Sequence, residues 1–361
     1  MIKPKTEAEL SEVISGTSGP LAIQGGGTRG VRLDGEALSV AALSGVTLYE
    51  PGALTIVAQA GTPVSQINDV LAAERQRLPF EPMDHRALLG TTGTPTIGGV
   101  LAGNVSGPRR IQVGAARDLA LGVRFVDGTG AVVKNGGRVM KNVTGYDLVK
   151  LMAGSWGTLG VLTEVSFKVL PLPEASVTLS VDALDAKKSV AAMSAALASP
   201  FDVTGAARDV TGKTLIRLEG FADSVAYRAE ALARDLSDYG LVDHMENSDQ
   251  AWADIRDVTC FADQPGDVWR VSVKPSDAPG VLAAINPDAV QMDWGGGLLW
   301  LLVPEGTAVR DHMQGMAGHA TLVRGQGQPM LHPEPAAVQT LSAGLRAKFD
   351  PRGLLNQGVM G

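Results

Sequence analysis

The spacing of apolar positions changes several times along the chain, and the changes divide it into elements. Thr6 with Glu9 three residues on has capping-box spacing and predicts a short helix to residue 14. Apolar runs at 21–24 and 54–60 read as strands. Val64, Ile67, Val70 and Leu71 fall at helical spacing and predict a helix over 64–77, before a proline-bearing loop at 78–84. Residues 119–126 and 131–134, joined by Asp127-Gly128-Thr129-Gly130, read as a hairpin. Leu148, Leu151 and Met152 give a helix over 147–152, and alternation from Val161 onward gives a half-buried strand that ends before Pro171 and Pro173.

Past Pro173 the texture changes. Strands are expected at 177–181, 215–221, 268–274 and 320–323, and helices at 186–197, 224–239, 281–285 and 308–317. Residues 291–294 and 298–303 flank Gly295-Gly296-Gly297 as a second hairpin. Strands interleaved with helices in this way predict an antiparallel sheet with helices on one face. A final helix is expected at 335–349, then a short apolar tail that frays unless it packs back on the first domain. The expected fold is α+β, with a first domain over 1–172, a cap or substrate domain over 173–330, and a helix and tail over 331–361.

Three glycine clusters punctuate the first part. Gln24-Gly25-Gly26-Gly27-Thr28 follows a strand, and successive amides there can form an anion-binding nest. A Rossmann turn needs a helix directly after the glycines, and Val31-Arg32-Leu33-Asp34-Gly35 is too short and polar for one. A Walker A loop fails because no Gly-Lys-Ser/Thr closes the cluster. The second cluster centres on Thr96-Ile97-Gly98-Gly99, with Gly103, Asn104 and Gly107 after it, and opens a short apolar helix whose first N–H groups can meet a polar ligand. The third holds Gly154, Ser155, Gly157, Thr158 and Gly160 ahead of Val161, and its glycines admit a close backbone approach. An ordinary turn explains any one cluster; three in order point to a bound group.

Composition narrows the function. The chain has 361 residues, 44 of them glycine, well above the average of about 7 %. A net charge of −7 with no basic run argues against nucleic acid. The single cysteine, Cys260, rules out a disulfide framework and an iron–sulfur cluster held by this chain alone, and fits a reducing cytoplasm. The N-terminal stretch has charges and no apolar core, so it does not read as a signal peptide, and no apolar window is long enough to span a membrane. The five histidines lack metal-ligand spacing and read as surface or loop residues, so no metal is expected.

The three clusters resemble the FAD-binding domain of the vanillyl-alcohol oxidase superfamily, the p-cresol methylhydroxylase type. Ser106-Gly107-Pro108-Arg109-Arg110, the run from Val139 through Lys141 to Tyr146-Asp147, and Leu151 to Gly160 are similar to the E-type, FAD-binding subunits of glycolate oxidase. The likeness continues sparsely through Trp269-Arg270-Val271-Ser272-Val273 and Phe349 to Met360. The resemblance implies FAD with its pyrophosphate on the amides of Gly25, Gly26, Gly27 and Thr28. Gln24, Thr96, Ile97, Gly98, Gly99, Gly103, Asn104, Gly107, Lys141, Tyr146, Gly154, Ser155, Gly157, Thr158, Gly160, Val161 and Asn356 would line the rest. It also implies a D-type flavin subunit and an iron–sulfur subunit as partners, glycolate as substrate and glyoxylate as product, with any membrane association only peripheral and through those partners. Three departures stand out. The tail reads Asn356-Gln357-Gly358-Val359 where the family has Asn-Pro-Gly-Arg. Arg29 stands where many relatives carry a histidine bonded to flavin, so the FAD is expected to be non-covalent. The family's histidine-rich metal run is missing.

Oxidising a 2-hydroxy acid needs a carboxylate clamp, for which a planar guanidinium is suited. The candidates are Arg109, Arg110, Arg270 and Arg324, with Arg109 and Arg270 preferred; Lys141, Tyr146 and His332 are candidates for the base, with Tyr146 preferred. Trp156 reads as a core residue. Three functions fit: an FAD-binding subunit of a 2-hydroxyacid dehydrogenase complex, a self-sufficient flavin oxidoreductase for another alcohol or sugar, or a non-catalytic scaffold.

Overall fold

The computed structural model describes residues 1–137, 145–182, 185–245 and 248–360. Thr6 caps α1 (Glu7–Gly16) by accepting the Glu9 N–H. Strand β1 (Leu21–Gln24) pairs in parallel with β2 (Glu36–Ser39). Strands β3 (Val46–Glu50) and β4 (Thr55–Gln59) form a hairpin, followed by α2 (Val64–Ala73). This helix is shorter than the apolar spacing predicts. Arg75 takes a φ of +51°, which ends the helix, and the next two residues form β5 (Gln76–Arg77). Four short helices come next: α3 (Arg86–Leu89), α4 (Ile97–Ala102), α5 (Arg110–Val113) and α6 (Ala116–Leu119). Then come β6 (Ala120–Val126), β7 (Val132–Gly136), α7 (Leu148–Met152), β8 (Val161–Lys168) and β9 (Leu170–Pro171).

Strands β3, β4, β8, β6 and β7 build, in that order, a five-stranded antiparallel sheet. Its core joins Ile56, Phe125, Val165 and Phe167 to Ile67 and Leu71 of α2 and to Val100 and Leu101 of α4. A smaller core gathers Leu10, Ile14, Leu21, Ile23 and Leu38 under the parallel pair. The first domain is thus built as two layers, each with its own core.

Strand β10 (Ala175–Val181) opens a second sheet. With β11 (Val203–Arg208), β12 (Thr214–Gly220), β13 (Val242–Met245), β14 (Asp267–Val273), β15 (Ala289–Asp293), β16 (Leu298–Val303) and β17 (Gly318–Arg324) it forms eight strands in the order β13-β10-β12-β11-β15-β16-β14-β17. Helices α8 (Ala186–Ala198), α9 (Ala222–Asp235) and α11 (Ala278–Ile285) cover one face through Met193, Leu232 and Val281. The opposite face carries α10 (Asp249–Asp257), whose Trp252 and Ile255 pack on Ala207 and Leu215, and meets the first domain. Strand alternation decides what each face holds. Trp269, Val271 and Val273 enter the helix-side core, while Val268 joins Met83 and Leu88 of the first domain. Arg270 and Ser272, in phase with Val268, therefore face the first domain. The helix expected over 308–317 is only a 3-10 turn at Val309–Met313. Among the described residues no helix is long and apolar enough to cross a membrane.

The chain ends with α12 (Ala336–Phe349) and a tail that returns to the parallel pair. Leu354 and Leu355 enter the smaller core, and Leu355 bridges Leu21. Arg352 fastens the turn before it by donating to the carbonyls of Ile14, Ser15, Thr17 and Gly128.

Candidate active site

The loop that leaves β1 forms the wall between two clefts. The first encloses about 1070 Å³ of empty space, open mouth included, and gathers residues of all three glycine clusters. Gln24, Gly25, Gly26, Gly27, Thr28, Thr96, Gly98, Gly99, Gly157, Gly160, Val161 and Asn356 line it. The second cleft starts from Gln24, Gly25, Gly26 and Thr96 and runs past Lys3 and Ser44. An extended ligand can therefore lie across the glycine loop with one end in each cleft.

The glycines are needed first for contact between loops. A Cβ on Gly26 would stand 1.6 Å from the Thr94 carbonyl oxygen, and one on Gly93 would stand 1.7 Å from the Gly26 oxygen. The two loops meet backbone to backbone, which any side chain would prevent. Gly98 lies against Ala60 in the same way, so the N-terminus of α4 packs tightly beside β4. Thr96 caps that helix by accepting the Gly99 N–H at 3.4 Å.

Several expected contact residues hold the walls rather than line them. Ile97 is core. The Asn104 side chain accepts the Arg117 N–H, and Gly107 accepts from the Trp294 ring N–H. Gly103 faces the Arg29 guanidinium, and the Gly154 N–H donates to Leu101. The hydroxyls of Ser155 and Thr158 donate to the carbonyls of Met152 and Ser155 at 2.8 and 2.7 Å, so they tie the third turn together and are not free for a ligand. Lys141 lies outside the described residues. Tyr146 is 88 % exposed and away from the cleft, which removes the preferred base candidate from the site.

One cleft residue departs from the sequence reading, and two more gain a place in the wall that the sequence did not assign. Trp156 is not core: it takes a φ of +52° and stands in the cleft wall, with the Arg29 guanidinium over its ring at 5.6 Å. Arg29 donates to the Gly99 carbonyl, and its buried Nε finds no acceptor among the described residues. Burial lowers its pKa to about 10, and no carboxylate opposes that. His85, read as a surface or loop residue, also lines the cleft. Burial, and then Arg29, push its pKa down to about 3, so its imidazole is uncharged at neutral pH. The tail closes the end of the cleft. Asn356 accepts the Ile23 N–H at 2.6 Å and donates to the carbonyls of Ile23 and Trp156 at 3.2 and 2.8 Å.

The fit to FAD rests on this donor set. An orphaned guanidinium nitrogen in the wall calls for an anionic or carbonyl-rich ligand. The stacked Arg29 and Trp156 offer a flat surface, and the paired clefts suit an extended dinucleotide. No group of three or more metal-ligating side chains occurs among the described residues.

The arginine candidates part company. Arg109 is only 3 % exposed and sits in an ion-pair network away from the cleft. Its Nε lies 3.0 Å from Glu81, and it also bonds Glu219. Arg217 adds two bonds to Glu81 at 3.0 and 2.9 Å, and Arg77 reaches Glu219 at 3.0 Å. Burial alone would raise the pKa of Glu81, but Arg217 and Arg109 hold it below its ordinary value. Arg109 is thus neutralised and cannot clamp a substrate, which corrects its assignment. Arg324 donates to the carbonyls of Leu88, Phe261, Gln264 and Gly266, a structural role. His332 accepts the Ala320 N–H. Arg270 faces the first domain, where both it and Arg110 lie over the Trp294 ring at 5.1 and 4.4 Å.

Comparison with known proteins agrees with this geometry. Residues 1–136 match a family model described as an FAD binding domain. The chain is 34% identical over 357 residues to the glycolate oxidase subunit GlcE of Escherichia coli (strain K12), covering 98% of this chain and 95% of that protein. It is 37% identical over 126 residues to the glycolate oxidase subunit GlcD of Bacillus subtilis (strain 168), covering 35% of this chain and 25% of that one. Among solved structures, an alkyldihydroxyacetonephosphate synthase superposes with a TM-score of 0.73 at 16% identity, over 98% of this chain and 75% of the other, a likeness of fold alone. An identity of this level over nearly the whole of both chains places the protein in the family of the glycolate oxidase subunit GlcE, FAD-dependent oxidoreductases of the p-cresol methylhydroxylase type.

Proposed function

We propose that this chain is the FAD-binding subunit of a cytoplasmic complex that oxidises glycolate, or a close 2-hydroxy acid, and passes the electrons to an iron–sulfur partner. The D-type flavin subunit would be its other partner. The observation that carries the reading is the cleft shared by the glycine loop, α4, Trp156 and Asn356, whose wall holds an arginine without a counter-charge. We assign residues 1–172 to cofactor binding, 173–330 to the substrate side, and 331–361 to closing the cleft from behind.

Bound in the cleft, FAD supplies the acceptor for two electrons. The amides of the Gly25–Gly27 loop would hold its diphosphate, and Arg29 and Trp156 would flank its flat part. The flavin is non-covalent in this reading, because Arg29 and not a histidine follows Thr28. His85, uncharged, can accept a hydrogen bond from the substrate hydroxyl.

Anaerobic addition of glycolate to the flavin-loaded chain tests this. Bleaching of the visible flavin band by glycolate, and not by ethylene glycol, is the expected result, in the chain alone or after the partner subunits are added. A flavin that stays oxidised with glycolate even in the reconstituted complex contradicts the proposal.

A further inference from the structure

Where the second sheet meets the first domain, two arginines stand without an ion pair to any described carboxylate. Arg270 projects from β14 and Arg110 from α5, so the two come from different sheets' layers, yet both guanidinium groups lie over one indole, that of Trp294. Trp294 is pinned in place. Its ring N–H donates to the Gly107 carbonyl at 3.0 Å, and its backbone N–H donates to Asp293 at 2.7 Å. It holds a φ of +53°, uncommon for a bulky residue. Neither guanidinium makes a hydrogen bond or ion pair with a described residue. Every arginine of the neighbouring network, by contrast, has at least one carboxylate.

The carboxylates nearby act on this charge only from a distance, without an ion pair or hydrogen bond to either guanidinium. Burial, then Arg110, lowers the pKa of Arg270 to about 10. Two acids act on the pair without touching it: Asp118 on Arg110, itself engaged by Arg117 and the Ala115 N–H, and Asp293 on Arg270, whose own pKa burial pushes up to about 8, so it is mostly protonated at neutral pH. His319 is pulled down by burial, and further by Arg270 and Arg110. Strand register sets Thr321 opposite Arg270 and His319 opposite Ser272. Because Ala320 and Leu322 enter the helix-side core, His319 and Thr321 share the face of Arg270. Arg270 also lowers the pKa of His85, a residue of the cofactor cleft wall, so the charged patch adjoins that cleft.

Resting on the reading of this chain as a flavin-dependent oxidoreductase, we infer that Arg110 and Arg270, held over Trp294, are the seat of the substrate's carboxylate. Two planar forks can each bind a carboxylate at two points, and two like charges held together without a partner are relieved only by an anion. The substrate class is therefore a hydroxy acid. Neutral alcohols and sugars have nothing to place there. The seat draws one arginine from each side of the molecule, so an occupied seat also ties the two sides together beside the cleft.

Isothermal titration of oxalate into the flavin-loaded chain tests the seat, with 1,2-propanediol as the neutral control. Oxalate binds the parent chain and the diol does not. R270Q and R110Q each weaken oxalate at least tenfold, as loss of a charge-assisted contact predicts, while flavin content stays unchanged. R270K, which keeps the charge and loses the fork, recovers part of the affinity. Failure of the parent chain to bind oxalate, or equal binding by the R110Q/R270Q double variant, overturns the inference. Because the seat consists of protein groups, the titration reads it even in flavin-free protein. Absence of flavin would count against the proposed function, and an insensitive oxalate isotherm against the seat.

Discussion

Arg109 and Arg110 are neighbours in sequence and belong to two clusters with opposite fates. Arg109 joins Arg77, Glu81, Arg217 and Glu219 in a network that bridges the two sheets, where three guanidinium groups share two carboxylates. Arg110 joins Arg270 over Trp294 with no carboxylate in ion-pair or hydrogen-bond contact among the described residues. Both clusters lie where the first domain meets the second sheet. The difference is what fills the gap between charges. In the first, protein carboxylates do so, and the cluster holds the structure together. In the second, the gap is left for something the protein does not contain. Buried charge is costly unless paired, so a pair of arginines without partners is better evidence of a ligand than any arginine count.

The largest test of this contrast is to break the paired cluster. Glu219→Ala leaves Arg77 and Arg109 without their shared acceptor in a buried site and should lower stability by about 3–5 kcal/mol in urea titration. A cost under about 1 kcal/mol would show that the network is not structural. Asn356→Ala removes three hydrogen bonds between the tail and the cleft floor, and should cost about 2–3 kcal/mol and weaken FAD binding, read by flavin fluorescence. An unchanged FAD affinity would separate the tail from the cofactor.

The unpaired cluster should behave differently. Arg270→Gln removes no protein partner, so its stability cost should stay under about 1 kcal/mol, while kcat/KM for the hydroxy acid falls roughly ten- to hundredfold. If stability falls as far as in E219A, the two clusters are of one kind. Asp293 gives a pH test of the same region. Its folded pKa, about 8, lies above its unfolded value, so the folded state holds a proton that the unfolded state has lost between about pH 4 and 8. Stability should therefore fall as pH rises through that window, by at most about 1.4 kcal/mol per pH unit, and Asp293→Asn should flatten the slope. An identical slope in the variant would place the titration elsewhere.

Much of the cofactor side was legible in the sequence, because glycine clusters mark positions where backbone must meet backbone. Gly25, Gly26, Gly98, Gly99, Gly157 and Gly160 all reach the cleft. The hydroxyls beside them were misleading, since Ser155 and Thr158 spend their donors on nearby carbonyls, a local geometry that spacing does not show. Trp156 reads as core by its size, but a left-handed backbone turns it into the wall. The role of Arg109 depends on Arg217 and Glu219, and that of Arg110 on Arg270 and Trp294, all more than a hundred positions further along the chain. Only the packing of β12 against the 81–109 region separates them. Strand β14 is regular, so alternation puts Arg270 and Trp269 on opposite faces of the second sheet. The helix expected at 308–317 failed because only Val309 and Met313 of that stretch are buried in its 3-10 turn, too little apolar surface to hold a full helix.

The most direct test of the account is the flavin content of the purified chain, measured by its visible spectrum before and after acid precipitation. The account predicts up to one FAD per chain, or its uptake when FAD is added, with all of it released into the supernatant because no covalent bond holds it. No flavin in the purified protein, and none taken up from added FAD, would contradict the assignment of the cleft.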